Sequence, residues 1–154
     1  MICAVALGSN LGDRRAHLDY AVASLRTLLA NLLVSTYRDT IPVGILGPQL
    51  LFLNAAAVGE TTLPARALLD ALLAIEHERG RERPRPNAPR TLDLDLILFG
   101  EATIDELGLT VPHPRFRERR FVLEPLAEVA PGLRDPVTRK TVNQLLADLR
   151  DPAG

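Results

Sequence analysis

Tryptophan is missing from this 154-residue sequence, and cysteine and methionine each occur once. A single cysteine, Cys3, excludes any internal disulfide, so a reduced setting is expected. Aromatic residues reach only 4%. No apolar run approaches the roughly 18 residues that a membrane-spanning helix needs. The segment from Met1 to Leu7 has neither the basic start nor the length of an export signal, so a cytoplasmic protein without membrane association is expected. Charge of one sign is not in excess either: 18 basic and 19 acidic residues leave a net charge of −1. That balance argues against a broad nucleic-acid surface. What remains is ordinary globular composition, 47% hydrophobic and 24% charged, at a length that suits one domain spanning 1–154 and an unaided core.

Lysine is the other scarcity. Lys140 is the sole lysine among the 18 basic residues. A compositional bias accounts for the preference for arginine but not for its clustering. Arg79, Arg81, Arg83, Arg85 and Arg90 form one group, and Arg115, Arg117, Arg119 and Arg120 form another. Arginine presents a planar fork of donors that matches phosphate oxygens. Two local clusters in a slightly acidic chain point to a small anionic ligand, and a monomer is expected.

The periodicity of apolar residues gives the order of elements. Ile2 to Leu7 reads as a buried strand. Asp13 can cap a helix over about 13–31, in which Leu18, Ala21, Val22, Leu25, Leu28 and Leu29 recur at helical spacing. A strand over 33–38, a Gly- and Pro-containing loop over 41–48 and a strand over about 50–59 follow. Pro64 starts a second helix that Gly80 ends. Pro84, Pro86 and Pro89 keep 81–91 irregular. A strand follows over 92–99, then a mostly irregular stretch over 101–119 and helices over 122–130 and 142–149. The order β-α-β-β-α-β with extra C-terminal helices is the ferredoxin-like α+β pattern, a sheet with helices packed on its faces.

Chemistry-bearing residues concentrate in a few places. In Arg90-Thr91-Leu92-Asp93-Leu94-Asp95-Leu96-Ile97-Leu98-Phe99, strand alternation puts Leu92, Leu94, Leu96 and Leu98 on a core face. Asp93, Asp95, Ile97 and Phe99 fall on the other. Their Cα atoms would sit roughly 6.7 Å apart, and two carboxylates held that close repel. Magnesium relieves such repulsion, using one or two carboxylates plus phosphate oxygens. A solvent-facing polar edge is the alternative, and the neighbouring arginines favour the metal–phosphate reading. Glu76 lies on the apolar stripe of its helix, as a site carboxylate or as a partner of Arg79 or Arg83. His113, rigidly placed between Pro112 and Pro114, can meet a phosphate oxygen or cap a turn. Phe52 and Asn54 point the same way from one strand, which suits a flat heterocycle but equally a core phenylalanine beside a buried amide. Gly8-Ser9-Asn10-Leu11-Gly12 lacks the ending of a P-loop and reads as a tight strand-to-helix turn.

Together, Ala6-Leu7-Gly8-Ser9-Asn10-Leu11-Gly12, Phe52-Leu53-Asn54-Ala55-Ala56, Pro89-Arg90-Thr91-Leu92-Asp93-Leu94-Asp95 and Val111-Pro112-His113-Pro114 resemble the hydroxymethyl-dihydropterin pyrophosphokinase family over about 1–133. The resemblance implies a ferredoxin-like fold and two substrates, ATP and 6-hydroxymethyl-7,8-dihydropterin. It also implies two magnesium ions, held by Asp93 and Asp95. On the ATP side it implies Glu76, Arg81, Arg83, Arg90, Leu96, Thr110, His113 and Arg119, with Arg81 and Arg90 as the catalytic pair closing over the triphosphate. On the pterin side it implies Thr40, Val43, Phe52, Asn54, Asp93 and Phe121. The chain departs from the family pattern at Asn87-Ala88 and Pro114. No residue stands out as a general base. Two other classes share the element order or the site. An RNA-binding module requires a basic, aromatic-rich sheet that this sequence lacks. A nucleotide-sensing regulatory domain would use the same site without turnover.

Overall fold

The apolar run at the start of the chain becomes the central strand of a sheet. In the computed structural model, which describes residues 1–40, 51–80 and 91–149, the elements in chain order are β1 (Ile2–Ser9), α1 (Arg14–Leu28), β2 (Ala30–Val34), β3 (Arg38–Thr40), β4 (Phe52–Glu60), α2 (Ala65–Glu78), β5 (Asp93–Phe99), β6 (Ile104–Glu106), β7 (Leu109–Val111), α3 (Arg120–Val129) and α4 (Val142–Leu149). A 3₁₀ turn over Phe116–Glu118 precedes α3. The strand order is β2-β4-β1-β5, with β3 also paired to β4. Each pairing is antiparallel. This is the ferredoxin-like order expected from the sequence.

Two cores form, one on each face of the sheet. On the first, Cys3, Val5 and Leu7 of β1 pack with Leu18, Ala21 and Leu25 of α1 and Leu68, Leu72 and Ile75 of α2. Leu18, Leu25, Leu68 and Leu72 are fully buried. Each such side chain contributes about 1.5–3 kcal/mol of transfer free energy. On the second face, Ala4, Ala56, Val58, Ile97 and Leu98 pack beneath Val122, Leu123 and Leu126 of α3 and Val142 and Leu145 of α4. Phe116 of the 3₁₀ turn is buried here too.

Local signals mark the starts of the first two helices. The Asp13 carboxylate accepts from Ala16 N–H at 3.1 Å, and Pro64 precedes α2. Four readings need correction. The first helix stops at Leu28, because Leu29 is extended and its side chain drops into the core from outside the helix. Its apolar character therefore mimicked one more helical turn, and β2 starts at Ala30. Residues 104–111 form a β6–β7 hairpin with Glu106 opposite Leu109, turning at Leu107-Gly108. Gly108 has φ +77°, which glycine adopts freely, but three-residue strands are too short for a period to show. Third, Gly8 lies within β1 and not in a turn. Last, the register of β5 slips between Leu96, opposite Val5, and Leu98, opposite Ala4. This bulge moves Leu98 to the α3 face and Phe99 to the α1–α2 face, reversing the expected alternation at both residues.

The C-terminal segment is tied down by one buried charge. The Asp135 side chain is fully enclosed. It accepts from Arg117 Nε at 2.6 Å and Nη2 at 3.0 Å, from Thr138 Oγ1 at 2.7 Å and from Val137 N–H at 3.0 Å. Burial alone would raise its pKa, but these donors outweigh burial and hold it at about 2, against 3.8 ordinarily. Asp135→Asn is expected to cost about 3 kcal/mol at neutral pH, the scale for removing one partner of a buried ion pair. Because the folded pKa is depressed, the contribution is complete above about pH 4 and fades as pH falls through 2. Urea unfolding at a series of pH values checks this: the variant should lose stability at pH 7 and lose most of that acid dependence.

Candidate functional site

Strand register builds the site. Gly8 of β1 pairs with Asn54 of β4 on one side and Asp93 of β5 on the other. Ala6 likewise pairs with Ala56 and Asp95. Residues opposite one another in a sheet project to the same face. Asn54, Gly8 and Asp93 therefore form a row across three strands on the α3 face, with Asp95 in the next row. β3 extends it, placing Arg38 opposite Asn54 and Thr40 opposite Phe52. Ala4, Ala56, Ile97 and Leu98 are buried on this face, whereas Phe52, Asp93 and Asp95 are half-buried, so the row lies near the end of the covered region.

Gly8 gives this surface its flatness. A Cβ there would lie 3.1 Å from Asn54 Oδ1 and 3.8 Å from Phe52 Cδ1. The amide nitrogen of Asn54 donates to Thr40 Oγ1, which fixes the orientation of the amide. Sequence reasoning assigned Gly8 to a turn. The available signal was a glycine continuing an apolar strand run, which often marks a close approach.

On its other side β5 borders a cleft of about 340 Å³. Leu69, Leu73 and Glu76 of α2 form one wall, and Leu109 and Thr110 of β7 with His113 form another. Asp93, Leu94, Asp95 and Leu96 run along its base. Glu76 is only 3% exposed, and its Oε2 accepts from Leu94 N–H at 2.7 Å. The carboxylate thus holds the backbone between the two aspartates. Arg79 donates its Nε to His17 Nδ1 at 2.8 Å and rests over the Tyr20 ring.

His113 N–H donates to Ile97 O at 2.9 Å, which pins the histidine beside β5. Its Nδ1 accepts from Arg115 N–H at 3.2 Å, leaving Nε2 to carry the ring proton. Burial lowers the His113 pKa, and the Arg119 and Arg115 charges lower it further, against the opposing pull of Asp93. The ring is therefore a neutral donor at neutral pH. Arg119 precedes α3, and its guanidinium lies 5.6 Å from the centre of the Phe121 ring. Phe116 and Arg117, anchored below, fix this segment.

The structure accordingly brings Thr40, Phe52, Asn54 and Asp93 onto one sheet surface, and lines one cleft with Glu76, Asp93, Asp95, Leu96, Thr110 and His113. Asp93 belongs to both. Leu96 is largely turned into the α1–α2 core. Val43, Arg81, Arg83 and Arg90 lie outside the described residues. Among the described residues, no three His, Cys, Asp or Glu side chains converge on a metal position. The hard oxygen donors of Asp93 and Asp95 still fit magnesium, which completes its shell with phosphate oxygens and water.

Fold and site together define a class: a ferredoxin-like α+β protein that sets a carboxylate pair between a flat sheet surface and an open cleft. The pattern of the 7,8-dihydro-6-hydroxymethylpterin-pyrophosphokinase (HPPK) family matches residues 4–131, and the chain belongs to that family. It is 43% identical over 145 residues to the Bacillus subtilis protein named 2-amino-4-hydroxy-6-hydroxymethyldihydropteridine pyrophosphokinase, covering 93% of this chain and 86% of that one. A Pseudomonas aeruginosa protein of the same name is 45% identical over 148 residues, covering 93% and 89%. The fold is similar to that of Plasmodium falciparum HPPK-DHPS, with a TM-score of 0.76 at 15% identity. That alignment covers 96% of this chain and 44% of the Plasmodium chain.

Glu76 offers a test of how β5 is held. Glu76→Ala would leave a buried N–H without its acceptor, at a cost of about 2 kcal/mol. Glu76→Gln keeps an acceptor and should recover at least half of that loss in urea unfolding. Equal loss in both variants would show that the hydrogen bond to Leu94 is not what holds β5.

Proposed function

We propose that the chain transfers pyrophosphate from ATP to the hydroxymethyl group of 6-hydroxymethyl-7,8-dihydropterin and releases AMP, a step of folate biosynthesis. The carrying observation is that Asp93 belongs both to the row Asn54–Gly8–Asp93 and to the cleft beside β5. A flat ligand on the row and a triphosphate in the cleft would then meet at the carboxylate pair. The family match and the names of the relatives support the same reading.

In this reading Phe52 and Phe121 stack on the pterin, Asn54 reads its edge, and Thr40 and Val43 complete that side. Glu76, Leu96, Thr110, His113 and Arg119 serve ATP, with Arg81, Arg83 and Arg90 contributing from the Arg-rich segment. Asp93 and Asp95 would hold magnesium, two ions by this proposal, which when bound neutralises phosphate charge and lowers the pKa of an attacking hydroxyl. The hydroxyl oxygen bonds to the β-phosphorus as the bond from that phosphorus to the oxygen of the α-phosphate breaks. The hydroxyl proton is released and AMP leaves. Transfer of this kind rests on positioning and charge neutralisation more than on covalent catalysis. His113, neutral and donating from Nε2, and Arg119 supply donors without adding a competing base. The proposal also takes 1–154 as a single pyrophosphokinase domain acting as a cytoplasmic monomer. Among the described residues no helix is long and apolar enough to cross a membrane.

Incubation with ATP, magnesium and the hydroxymethyl-dihydropterin tests the reading, with AMP as the expected nucleotide product. Asp93→Asn and Asp95→Asn are each expected to reduce turnover by at least about a hundredfold, the scale of a lost electrostatic group, with circular dichroism unchanged. ADP as product, or near wild-type turnover in either variant, would overturn it. Binding of both ligands without turnover would instead favour a sensing domain.

A further inference from the structure

β3 is held in place by charge. Its three residues, Arg38, Asp39 and Thr40, include no apolar side chain, and among the described residues its only ladder partner is β4. Successive side chains alternate, so Asp39 faces one layer of helices and Arg38 and Thr40 the other. On the first side, Arg14 of α1 donates from one Nη1 to Asp39 Oδ1 at 2.7 Å and to Leu51 O at 2.8 Å. On the second, Arg38 reaches α3, donating from Nη2 to Glu128 Oε1 at 2.9 Å, with Nη1 3.9 Å from Glu124 Oε1.

Glu128 gathers three donors from the segment entering β3. Besides Arg38, Thr36 N–H donates to Oε2 at 2.9 Å and Thr36 Oγ1 donates to Oε1 at 2.8 Å. The Thr36 amide, then Arg38 and the Thr36 hydroxyl, keep the Glu128 carboxyl below the usual range. Glu124 is in turn paired with Arg120 at 3.2 Å, and Arg120 donates to Leu149 O at 3.1 Å. The spacing of α3 makes the arrangement specific. Phe121, Glu124 and Glu128 stand at i, i+3 and i+7, a single stripe of the helix. The stripe that carries Phe121 thus also carries the two glutamates that hold Arg38, two residues from Thr40 on the same strand face.

We infer that the Arg38–Glu128 pair is a positioning clamp that fixes the gap between the two walls of the pterin pocket, Thr40, Phe52 and Asn54 on the sheet and Phe121 on α3. The inference rests on the proposed pterin reading of that pocket. Both partners are partly exposed, with side chains 38% and 31% accessible, so the pair adds little to global stability. Its effect is geometric: it couples a short polar strand to the helix that carries the opposite wall. The cleft proposed for ATP lies across β5, and among the described residues its lining includes none of these partners.

Arg38→Met and Glu128→Gln are each expected to raise KM for the pterin on the order of tenfold, with KM for ATP and Tm nearly unchanged. Arg38→Lys should restore part of the loss. The double variant should be no worse than the poorer single one, because both changes release the same clamp. Phe52→Ala, titrated with the pterin, separates the two claims. If Phe52→Ala weakens pterin binding while the clamp variants leave KM for the pterin unchanged, the clamp is wrong and the pocket stands. If Phe52→Ala also leaves pterin binding intact, the pterin reading falls and the clamp with it. Parallel rises in both KM values with a lowered Tm would make the pair merely structural and would overturn the inference.

Discussion

The site depends on the register of one strand. β1 is hydrogen-bonded on both sides, and at Gly8 its two partners are Asn54 and Asp93. Strand side chains have a period of two, so a slip of one residue on either side would turn Asn54 or the aspartates into the α1–α2 core. Leu7, Leu53 and Leu94 bury on that other face and make the slip costly. The apolar residues therefore align the polar ones, although no polar contact between β4 and β5 is needed to do so.

Small side chains let the same register form a surface. Ala4, Ala6 and Gly8 on β1 and Ala56 on β4 leave room for α3 at one end and keep the sheet surface flat at the other. Charge is distributed along the edge of this surface. Asp93 and Asp95 sit on β5, Glu76 holds the backbone between them, and His113 is kept neutral by burial and by nearby arginines. Two carboxylates, a neutral donor and a guanidinium in one place suit an anionic ligand that arrives with its own cation.

Much of this was legible in the sequence, for identifiable reasons. Long helical periodicity in α1 and α2 and apolar runs in β1, β4 and β5 gave the ferredoxin-like order, because each buries enough area to dictate its conformation. Asp93 and Asp95 were legible as a pair, since alternation holds as far as Leu96. Beyond that point the bulge breaks the period, and Leu98 and Phe99 were assigned to the wrong faces. Leu29 extended the helical pattern beyond the true end of α1, because an apolar residue entering the core looks alike from a helix or a strand. The β6–β7 hairpin and β3 were too short to show a pattern. The links Arg38–Glu128 and Arg117–Asp135 join residues 90 and 18 positions apart, and no local spacing encodes them. Gly8 was visible, but its role emerges only when Asn54 and Asp93 are placed on either side.

The central claim is that the row Asn54–Gly8–Asp93 is the floor on which the pterin lies. Calorimetric titration of Gly8→Ala with 6-hydroxymethyl-7,8-dihydropterin, and separately with a non-hydrolysable ATP analogue, tests it most directly. The added methyl would stand 3.1 Å from Asn54 Oδ1, on the surface that the ligand must cover. The account predicts at least about a tenfold loss of pterin affinity, a difference of about 1.4 kcal/mol, with analogue binding and circular dichroism unchanged. Wild-type pterin affinity in Gly8→Ala would contradict it.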